Sequence, residues 1–425
     1  MIFKIPFIAS GALPMVLAIW PAACGGDNMA AGNPGAGGTG GITVIHDDLG
    51  DQPVTKLSGD QIQMFHLGDG LFDLPFRDSD GLGPLYIRNA CGDCHQNGGR
   101  GPGSVHKFQM MGPDGQPVAT APEVAYGDTV RPYVAGGGQT PIQAPADVNA
   151  PDQLVQSVRV GPPVLGRGYI EAIDDAEIER VAAEQATRTD AIHGRINRVV
   201  YHSAATSQAF IHHTLGETGV IGRFGHKARV STLDDFTADA FQGDMGMTSP
   251  LRPTEVKNPD NLLDDGKPGV DLTEDNVTQV AQYVRSLAIP DRDPALMQSA
   301  GRALFDQALC SVCHVPSLHT RADNPVAVLA DVDAPVFSDI LLHDMGDGLA
   351  DDLPDESAGL REWRTAPLIA LRFQHTFLHD GRATTVADAI AAHASAGSQA
   401  NDSVARFQAL SKDDQASLLT FVQGL

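Results

Sequence analysis

Two short motifs contain residue types that could attach and ligate a metal cofactor. Residues 91–95 read Cys-Gly-Asp-Cys-His, and residues 310–314 read Cys-Ser-Val-Cys-His. Two thiols three positions apart can add to the two vinyl groups of one haem, and the adjoining imidazole can then reach the iron. The motifs therefore predict two covalently bound c-type haems. The residues that would hold them are Cys91, Cys94, His95, Cys310, Cys313 and His314.

Zinc binding and thiol–disulfide exchange are the alternatives for paired cysteines. The two pairs are too far apart in the sequence for a zinc ribbon or knuckle, and each pair has its own adjoining histidine. A redox-active Cys-x-x-Cys requires no such histidine. The chain has five cysteines, and the two motifs use all of them except Cys24. This count favours haem.

The N-terminal segment has the pattern of an export signal. Lys4 is followed by an apolar run that prolines interrupt, and the run ends in small residues just before Cys24. A cysteine at a cleavage site, followed by a Gly- and Ala-rich stretch, predicts a lipid anchor, although Pro21 departs from the usual lipobox. The alternative is a plain secretory peptide that is cleaved nearby. We expect a periplasmic or outer-surface protein that contacts the membrane only through that anchor.

The composition restricts the partners. The 425 residues include 53 acidic and 29 Lys or Arg side chains, which gives a net charge of −24. So acidic a surface repels phosphate backbones and argues against nucleic-acid binding, whereas it would attract a basic redox protein. The 45 glycines and 28 prolines predict long irregular stretches rather than a compact helical bundle.

A weak internal repeat predicts two similar domains around the motifs. Residues 272–287 align without gaps on residues 410–425, and each segment opens with a hydroxyl cap, Thr273 or Ser411, before an amphipathic helix. Ahead of the second motif, Asp293 followed by Pro predicts the start of the helix that leads to the cysteines. An attachment helix near the start and an amphipathic helix at the end describe a cytochrome c domain.

A third matched pair of segments differs between the halves at one position. Residues 226–235 match residues 379–388, and a helix is predicted to begin in the second segment at Thr385. One face of that helix comprises Val386, Ile390 and His393. His393 should therefore point toward a haem, whereas the matching residue in the first half is Ala240, which cannot ligate iron.

This difference leads to a hypothesis about ligation. The haem of the second motif would be six-coordinate, with His314 and His393 as axial ligands, and would store and pass electrons. The haem of the first motif would lack a matching ligand and offer an open site, with His106, Met110 and Met111 as alternatives that could close it in a resting form. A histidine satisfied in the core is the alternative for His393, and Met345 is a rival sixth ligand.

Further segments resemble the bacterial diheme cytochrome c peroxidase superfamily, and most closely its predicted diheme oxidoreductase family, whose members are also labelled thiol oxidoreductases or peroxidases. The resemblance covers roughly residues 60–425. It rests on Asp-Gly-Leu-Gly-Pro-Leu at 80–85, Gly-Arg-Phe-Gly at 222–225, Gly-Asp-Met-Gly at 243–246, Leu-Leu-His-Asp-Met-Gly at 341–346, Trp-Arg-Thr-Ala-Pro-Leu at 363–368 and Phe-Leu-His-Asp-Gly-Arg-Ala at 377–383.

The resemblance implies roles for four residues. In this superfamily an acid just before Met-Gly lies over the peroxidatic haem, and Asp244, one methylene shorter than the usual Glu, has that place. The superfamily has a Trp between the haems where this chain has His226, and Trp363 is the only Trp outside the signal. Arg364 is implied to lie near the haem propionates. The alternative for Asp244 is a turn or cap aspartate, and the alternative for Arg364 is a surface ion pair. Calcium is implied too, although no acidic loop demands it.

The predicted fold is mainly α, with two cytochrome c-like helical domains, each around a covalent haem, and long irregular loop insertions in the first. The signal occupies residues 1–24 and a flexible tether residues 25–60. The N-terminal domain is placed at 61–290, with its insertion at about 98–168, and the C-terminal domain at 291–425.

The expected activity is reduction of hydrogen peroxide, or a similar small oxidant, at the N-terminal haem. Electrons would come from a small redox protein and be relayed by the C-terminal haem. A non-catalytic electron-transfer cytochrome and a diheme oxidase of a partner protein are the alternatives. A thiol substrate would have to be external, because the two motifs and the anchor occupy every cysteine.

Overall fold

The computed structural model describes residues 51–101, 103–111, 129–143, 154–202, 213–351, 353, 355 and 357–425. All of them belong to one unit, which spans residues 40–425. The predicted signal, Cys24 and most of the predicted tether lie outside the described residues. None of the described helices has the length and hydropathy of a membrane span.

Helices account for most of the regular structure in the described residues. They are α1 (Gly59–Phe72), α2 (Arg167–Ala172), α3 (Asp175–Ala186), α4 (Leu233–Met245), α5 (Glu274–Ser286), α6 (Ala300–Gln307), α7 (Cys310–Cys313), α8 (Val386–Ala392), α9 (Asn401–Ala409) and α10 (Lys412–Gln423). The strands are β1 (Leu85–Tyr86), β2 (Ser104–Met110), β3 (Tyr133–Val134), β4 (Leu154–Val160), β5 (Arg198–Val200), β6 (Thr218–Ile221), β7 (Leu318–His319), β8 (Asp333–Ala334), β9 (Leu342–Asp344) and β10 (Glu362–Arg364). They pair antiparallel in two-stranded sheets. The described chain is mainly α, as predicted.

The insertion in the first half is more regular than predicted. Strands β2 and β4 pair along their whole length, from Ser104 opposite Val160 to Met110 opposite Leu154. Buried and more exposed side chains alternate along β4, where Ser157 and Arg159 are buried. The prediction of an irregular insertion is wrong for these strands, because the surrounding Gly and Pro residues obscured a two-residue period.

The helix starts predicted from the repeat are confirmed with one exception. Thr273 accepts a hydrogen bond from the Asn276 backbone N–H at the start of α5, and Ser411 and Thr385 cap α10 and α8 in the same way. The predicted helix does not run on from Asp293. The Asp293 carboxylate accepts from the Ala295 backbone N–H at 2.9 Å ahead of a short 3₁₀ turn, Leu296–Gln298, and α6 begins only after Ser299, whose hydroxyl accepts from a backbone N–H of the first turn.

The repeat continues in how the helices pack. Helix α1 crosses α5, where the rings of Phe65 and Phe72 lie 5.1 and 5.0 Å from that of Tyr283. Helix α6 crosses α10, where the ring of Phe305 lies 5.4 Å from that of Phe421. The first and last helices of each half therefore meet through aromatic side chains, which bury large apolar areas.

Two hydrophobic clusters account for most of the core. The smaller cluster lies entirely within residues 305–425 and includes Phe305 and Phe421. The larger cluster joins Phe65 and Tyr283 of the first half to residues such as Ile340 from beyond the predicted boundary. The boundary at 290/291, and one haem for each domain, therefore stay predictions.

Candidate functional site

A cavity of about 260 Å³ lies beside the second cysteine motif. Helix α7 consists of Cys310–Cys313, and both of its cysteines line the cavity together with His314. Helix α8 lines the same cavity with Val386 and Ile390, and His393, the residue that caps its C-terminus, does so too; these are the residues predicted to share one face. Much of the remaining wall is apolar and includes Phe305, Leu371, Phe377, Leu418 and Val422.

Two of the histidines that line the cavity, His314 and His393, are held in the tautomer that a metal ligand needs. Nδ1 of His314 donates to the Phe337 carbonyl at 3.1 Å, and Nδ1 of His393 donates to the Ala389 carbonyl at 2.6 Å. Because a carbonyl only accepts, the proton lies on Nδ1, and Nε2 keeps a free lone pair. Burial lowers the pKa of both, that of His314 to about 4. Met345 lines the same cavity, so both candidate sixth ligands are in place.

Three arginines line this cavity without an ion-pair partner among the described residues. Nε of Arg364 donates to the Gly225 carbonyl at 2.9 Å, and Nε of Arg167 to the Pro163 carbonyl at 2.6 Å. Arg100 donates to a backbone carbonyl as well. Burial lowers their pKa values to about 9 for Arg167 and about 10 for the other two, so that all remain cations at neutral pH. Buried cations of this kind are stabilised by a bound anion.

Trp363 lies at the centre of an aromatic and cationic group on the cavity wall. Its ring stacks on that of His379, with centroids 3.8 Å apart, and the ring of His226 meets it edge-on at 6.2 Å. Nζ of Lys227, which is fully buried, lies 4.3 Å from the indole centroid, and the Arg159 guanidinium lies 5.7 Å from it. Cations at such distances interact favourably with the electron-rich ring face.

The first cysteine motif forms a turn like that of the second. The His95 backbone N–H donates to the Cys91 carbonyl at 2.9 Å, and the corresponding bond in the second motif has the same length. The His95 ring lies 6.2 Å from that of Phe72, and burial lowers its pKa to about 4. The Gly161 backbone lies against this imidazole so closely that a Cβ there would be 3.0 Å from Cε1.

Asp244 lies in the last turn of α4, next to the first motif. Its carbonyl accepts from the Ile87 backbone N–H at 2.6 Å, a few residues ahead of Cys91. The pKa of Cys94 is raised to about 11. Burial is the largest cause, and the negative charge of Asp244 is the second. Asp244 therefore lies near the cysteines of the first motif.

The environment of Asp244 raises its own pKa to about 6. Burial is the largest cause, and the nearby Asp239 carboxylate is the second. Arg131, Arg229 and Lys107 act in the opposite direction. Nε of Arg131 donates to the Gly243 carbonyl at 2.9 Å, and Arg229 forms a two-bond ion pair with Asp239. A carboxyl group with this pKa can both accept and return a proton near neutral pH.

Comparison with known protein families assigns the chain. Residues 146–425 match the family described as "di-haem oxidoreductase, putative peroxidase". The chain belongs to this family. The di-haem oxidoreductase is therefore a haem-binding redox protein, and the resemblance inferred from its motifs is confirmed.

Similarity to solved structures is much weaker. A hydrazine synthase chain of Kuenenia stuttgartiensis is 15% identical, with a TM-score of 0.38, and the match covers 93% of this chain and 100% of that one. A MauG-like protein associated with microbial copper homeostasis is 13% identical, with a TM-score of 0.39 and coverage of 88% and 92%. The diheme peroxidase BthA of Burkholderia thailandensis is 14% identical, with a TM-score of 0.36 and 87% coverage of both chains. A comparison with curated proteins gives no match.

The residues of the di-haem oxidoreductase fit the haem that its family implies. The apolar cavity brings together two thiols, two imidazoles with Nε2 free to ligate, and three guanidinium groups that lack a carboxylate partner. The imidazoles would hold haem iron, and the arginines could neutralise the two propionates. This cavity is thus suited to an amphipathic, dianionic porphyrin.

The predicted site residues of this oxidoreductase fall into two groups. One lines the cavity and comprises Cys310, Cys313, His314, His393, Met345, His226, Trp363 and Arg364. The other comprises Cys91, Cys94, His95 and Asp244. The surface ion pair considered for Arg364 is wrong, since its side chain is buried and pairs with no carboxylate among the described residues. Asp244 lies in the last turn of α4, so the turn or cap role stays an alternative for it.

Sequence reasoning missed Arg100, Arg167 and His379, which line the cavity, and Lys227, which lies beside Trp363. Arg100 and Arg167 lie in the Gly- and Pro-rich insertion, where no hydrophobic periodicity distinguishes them from their neighbours. His379 and Lys227 do lie in the matched segments, whose alignment was the signal that could have identified them.

Two groups of potential metal ligands come close together among the described residues. One is Cys313, Asp339 and His343, in which Nε2 of His343 is 2.8 Å from the Asp339 carboxylate. Its cysteine belongs to the haem motif. The other is the acidic group Asp51, Asp69 and Asp73. Acidic groups are common without a cation, and calcium therefore stays a prediction.

Proposed function

We propose that the di-haem oxidoreductase is a peroxidase with two covalent haems of unequal roles. Cys91 and Cys94 would form the thioether bonds of one haem, and Cys310 and Cys313 those of the other. His95 and His314 would be the proximal ligands, since the pKa of each is lowered to about 4 by burial and the neutral imidazole can bind iron.

One observation carries the proposal. Helices α4 and α8 both follow a capping threonine, Thr232 or Thr385, and the residue eight positions later is Ala240 within α4 and His393 at the C-cap of α8. His393 is held with Nε2 free beside the His314 cavity, so the C-terminal haem would have both axial positions filled. The equivalent helix of the N-terminal half supplies a carboxyl group, Asp244, near the cysteines instead.

This difference supports the direction of electron flow. A six-coordinate haem has no position for peroxide and serves as an electron store, whereas an iron with an open position can bind the oxidant. Electrons would therefore enter at the C-terminal haem and be consumed at the N-terminal one. Three arginines would neutralise the propionate carboxylates of the C-terminal haem, where electrons enter: Arg100, Arg167 and Arg364.

Asp244 would be the proton carrier of the reaction. The bound haem iron supplies the site for one peroxide oxygen and the route by which electrons reach the O–O bond. The Asp244 carboxylate takes the proton from the near oxygen and returns it to the far oxygen, which leaves as water. With a pKa of about 6, most Asp244 side chains are ionised at pH 7 and ready to accept that proton.

The export signal and net charge extend the proposal to location and partner. Cys24 would anchor the mature chain by a lipid in the periplasm or on the outer surface. The net charge of −24 would speed encounter with a small basic redox protein as the electron donor.

Reduction followed by a peroxide titration tests the function. Protein matured in a host that attaches haem is fully reduced, and hydrogen peroxide is added without oxygen. One equivalent should oxidise both haems, because each molecule of peroxide takes two electrons. A Cys310→Ser/Cys313→Ser variant, with one haem, should lose this stoichiometry. Two low-spin haems that stay reduced in peroxide would instead favour an electron carrier.

A further inference from the structure

We propose that electrons pass between the two haems through the end of strand β4, by way of Val160, Gly161 and the rings of His226 and Trp363. Strand β4, Leu154–Val160, lies in the insertion predicted for the first half. The route rests on the proposed function only in that both haems must be bound.

The route begins at the proximal side of the first haem. The Gly161 backbone lies against the His95 ring, and any side chain there would meet it, since a Cβ would be 3.0 Å from Cε1 and 3.6 Å from Nδ1. The next residue, Pro162, already lines the cavity of the second motif. Residues 160–162 therefore run directly from one cofactor site to the other.

A hydrogen bond continues the route from backbone to side chain. Nε2 of His226 lies 2.9 Å from the Val160 carbonyl, which can only accept, so that Nε2 carries the proton. The Val160 N–H in turn donates to the His379 carbonyl at 2.8 Å. Burial lowers the pKa of His226 well below 6.5, so the imidazole stays neutral and the bond is maintained.

The aromatic group completes the route at the second haem. The His226 ring meets Trp363 edge-on at 6.2 Å, and both residues line the cavity that contains His314. The Trp363 N–H donates to the Leu349 carbonyl at 2.7 Å, which fixes the indole in place. Covalent bonds, one hydrogen bond and ring contacts thus connect His95 to the cavity wall.

The cations beside Trp363 determine how it carries the electron. Lys227 and Arg159 lie 4.3 and 5.7 Å from the indole centroid, and loss of an electron would place a positive charge next to them. Trp363 therefore mediates tunnelling without being oxidised. One electron leaves the C-terminal haem, which is oxidised, and arrives at the N-terminal haem, which is reduced. No bond is broken and no proton moves.

The rate of electron exchange between the haems tests the route. Half-reduced protein is given carbon monoxide, a flash removes it, and the redistribution of the electron is followed optically. His226→Phe keeps an aromatic ring but removes the N–H donor, and the rate should fall several-fold with unchanged spectra and potentials. His226→Gln, which keeps an N–H donor, should recover most of it. His375→Phe, at an exposed histidine, is the matched control and should have no effect.

Two outcomes would overturn the route. A His226→Phe protein that folds, binds both haems and exchanges electrons at the wild-type rate would show that the hydrogen bond is not used. A tryptophan radical trapped by rapid freezing after peroxide would show that Trp363 is oxidised. Failure of the peroxidase proposal looks different, because peroxide would then not react while the exchange rate still depends on His226.

Discussion

Gly68 of helix α1 lies against the Gln279 carbonyl of α5 with no room for a side chain between them. A Cβ at Gly68 would be 2.1 Å from that oxygen. The second half repeats the contact, since a Cβ at Gly301 of α6 would be 2.2 Å from the Ser417 carbonyl of α10. In both halves, therefore, the backbones of the two crossing helices are in direct contact at a glycine.

Gly68→Ala should destabilise the protein through this contact. A backbone carbonyl cannot rotate away, so we expect a loss of about 3 kcal/mol, at the upper end for overpacked cores. The control is Gly70→Ala on the exposed side of the same helix, where a Cβ meets nothing within 4 Å. That change should stabilise by about 0.5–1 kcal/mol, because alanine favours the helix. Denaturant unfolding measures the free energy of unfolding of both variants. Equal changes in the two would contradict the close backbone contact at Gly68.

A buried ion network should be a second determinant of stability. Arg285 pairs with Glu171 and Asp234, and all three side chains are at most 1% exposed. Arg285→Met would leave two buried carboxylates without their cation and should cost about 3–5 kcal/mol at pH 7. The deficit should shrink on acidification, because protonated carboxyl groups are neutral. Arg406→Met, in an exposed pair with Asp402, should change stability by less than about 1 kcal/mol.

The reaction with peroxide should depend on the ionisation of Asp244. Its pKa is raised to about 6, and only the carboxylate accepts a proton, so the rate constant should rise with pH through this value. Asp244→Asn should remove the inflection and slow the reaction by about 100-fold or more. Stopped-flow mixing across this pH range measures both. A profile unchanged in Asp244→Asn would exclude the residue as the proton carrier.

Asp239 should set where that inflection falls. Its carboxylate is the second cause of the raised pKa of Asp244, after burial. Asp239→Asn removes this negative charge and frees Arg229 from its closest carboxylate, with Asp355 at 3.8 Å remaining, and both effects lower the pKa of Asp244. The inflection should therefore move to lower pH while the plateau rate is kept. A shift to higher pH would contradict this account of the site.

The sixth ligand of the second haem should be His393. Its Nδ1–H is bound to the Ala389 carbonyl, which leaves Nε2 for iron. His393→Ala should convert the oxidised haem from low to high spin, whereas Met345→Leu, a change of similar volume on the same cavity wall, should not. Optical and EPR spectra distinguish the two. Loss of the low-spin signal only in Met345→Leu would assign the methionine instead.

Local sequence determined the haem motifs and most helix starts. The spacing within residues 91–95 and 310–314 suits the two vinyl groups and the iron of a haem, whatever the surrounding fold. Hydroxyl caps such as Thr273 bond to backbone groups only three residues away. The same reasoning placed His393 on the face of α8 that lines the cavity. These features depend on short-range geometry, which one sequence contains in full.

Tertiary structure alone decided which distant residues meet. Arg100, Arg167 and Arg364 come from separate segments and share one cavity, and Val160 reaches His226 only because β4 folds back between the two motifs. Side-chain pattern specifies which face of an element is buried, but not which other element covers it. The partner is selected by packing of the whole chain, and that choice places cations beside Trp363 and brings Gly161 against His95.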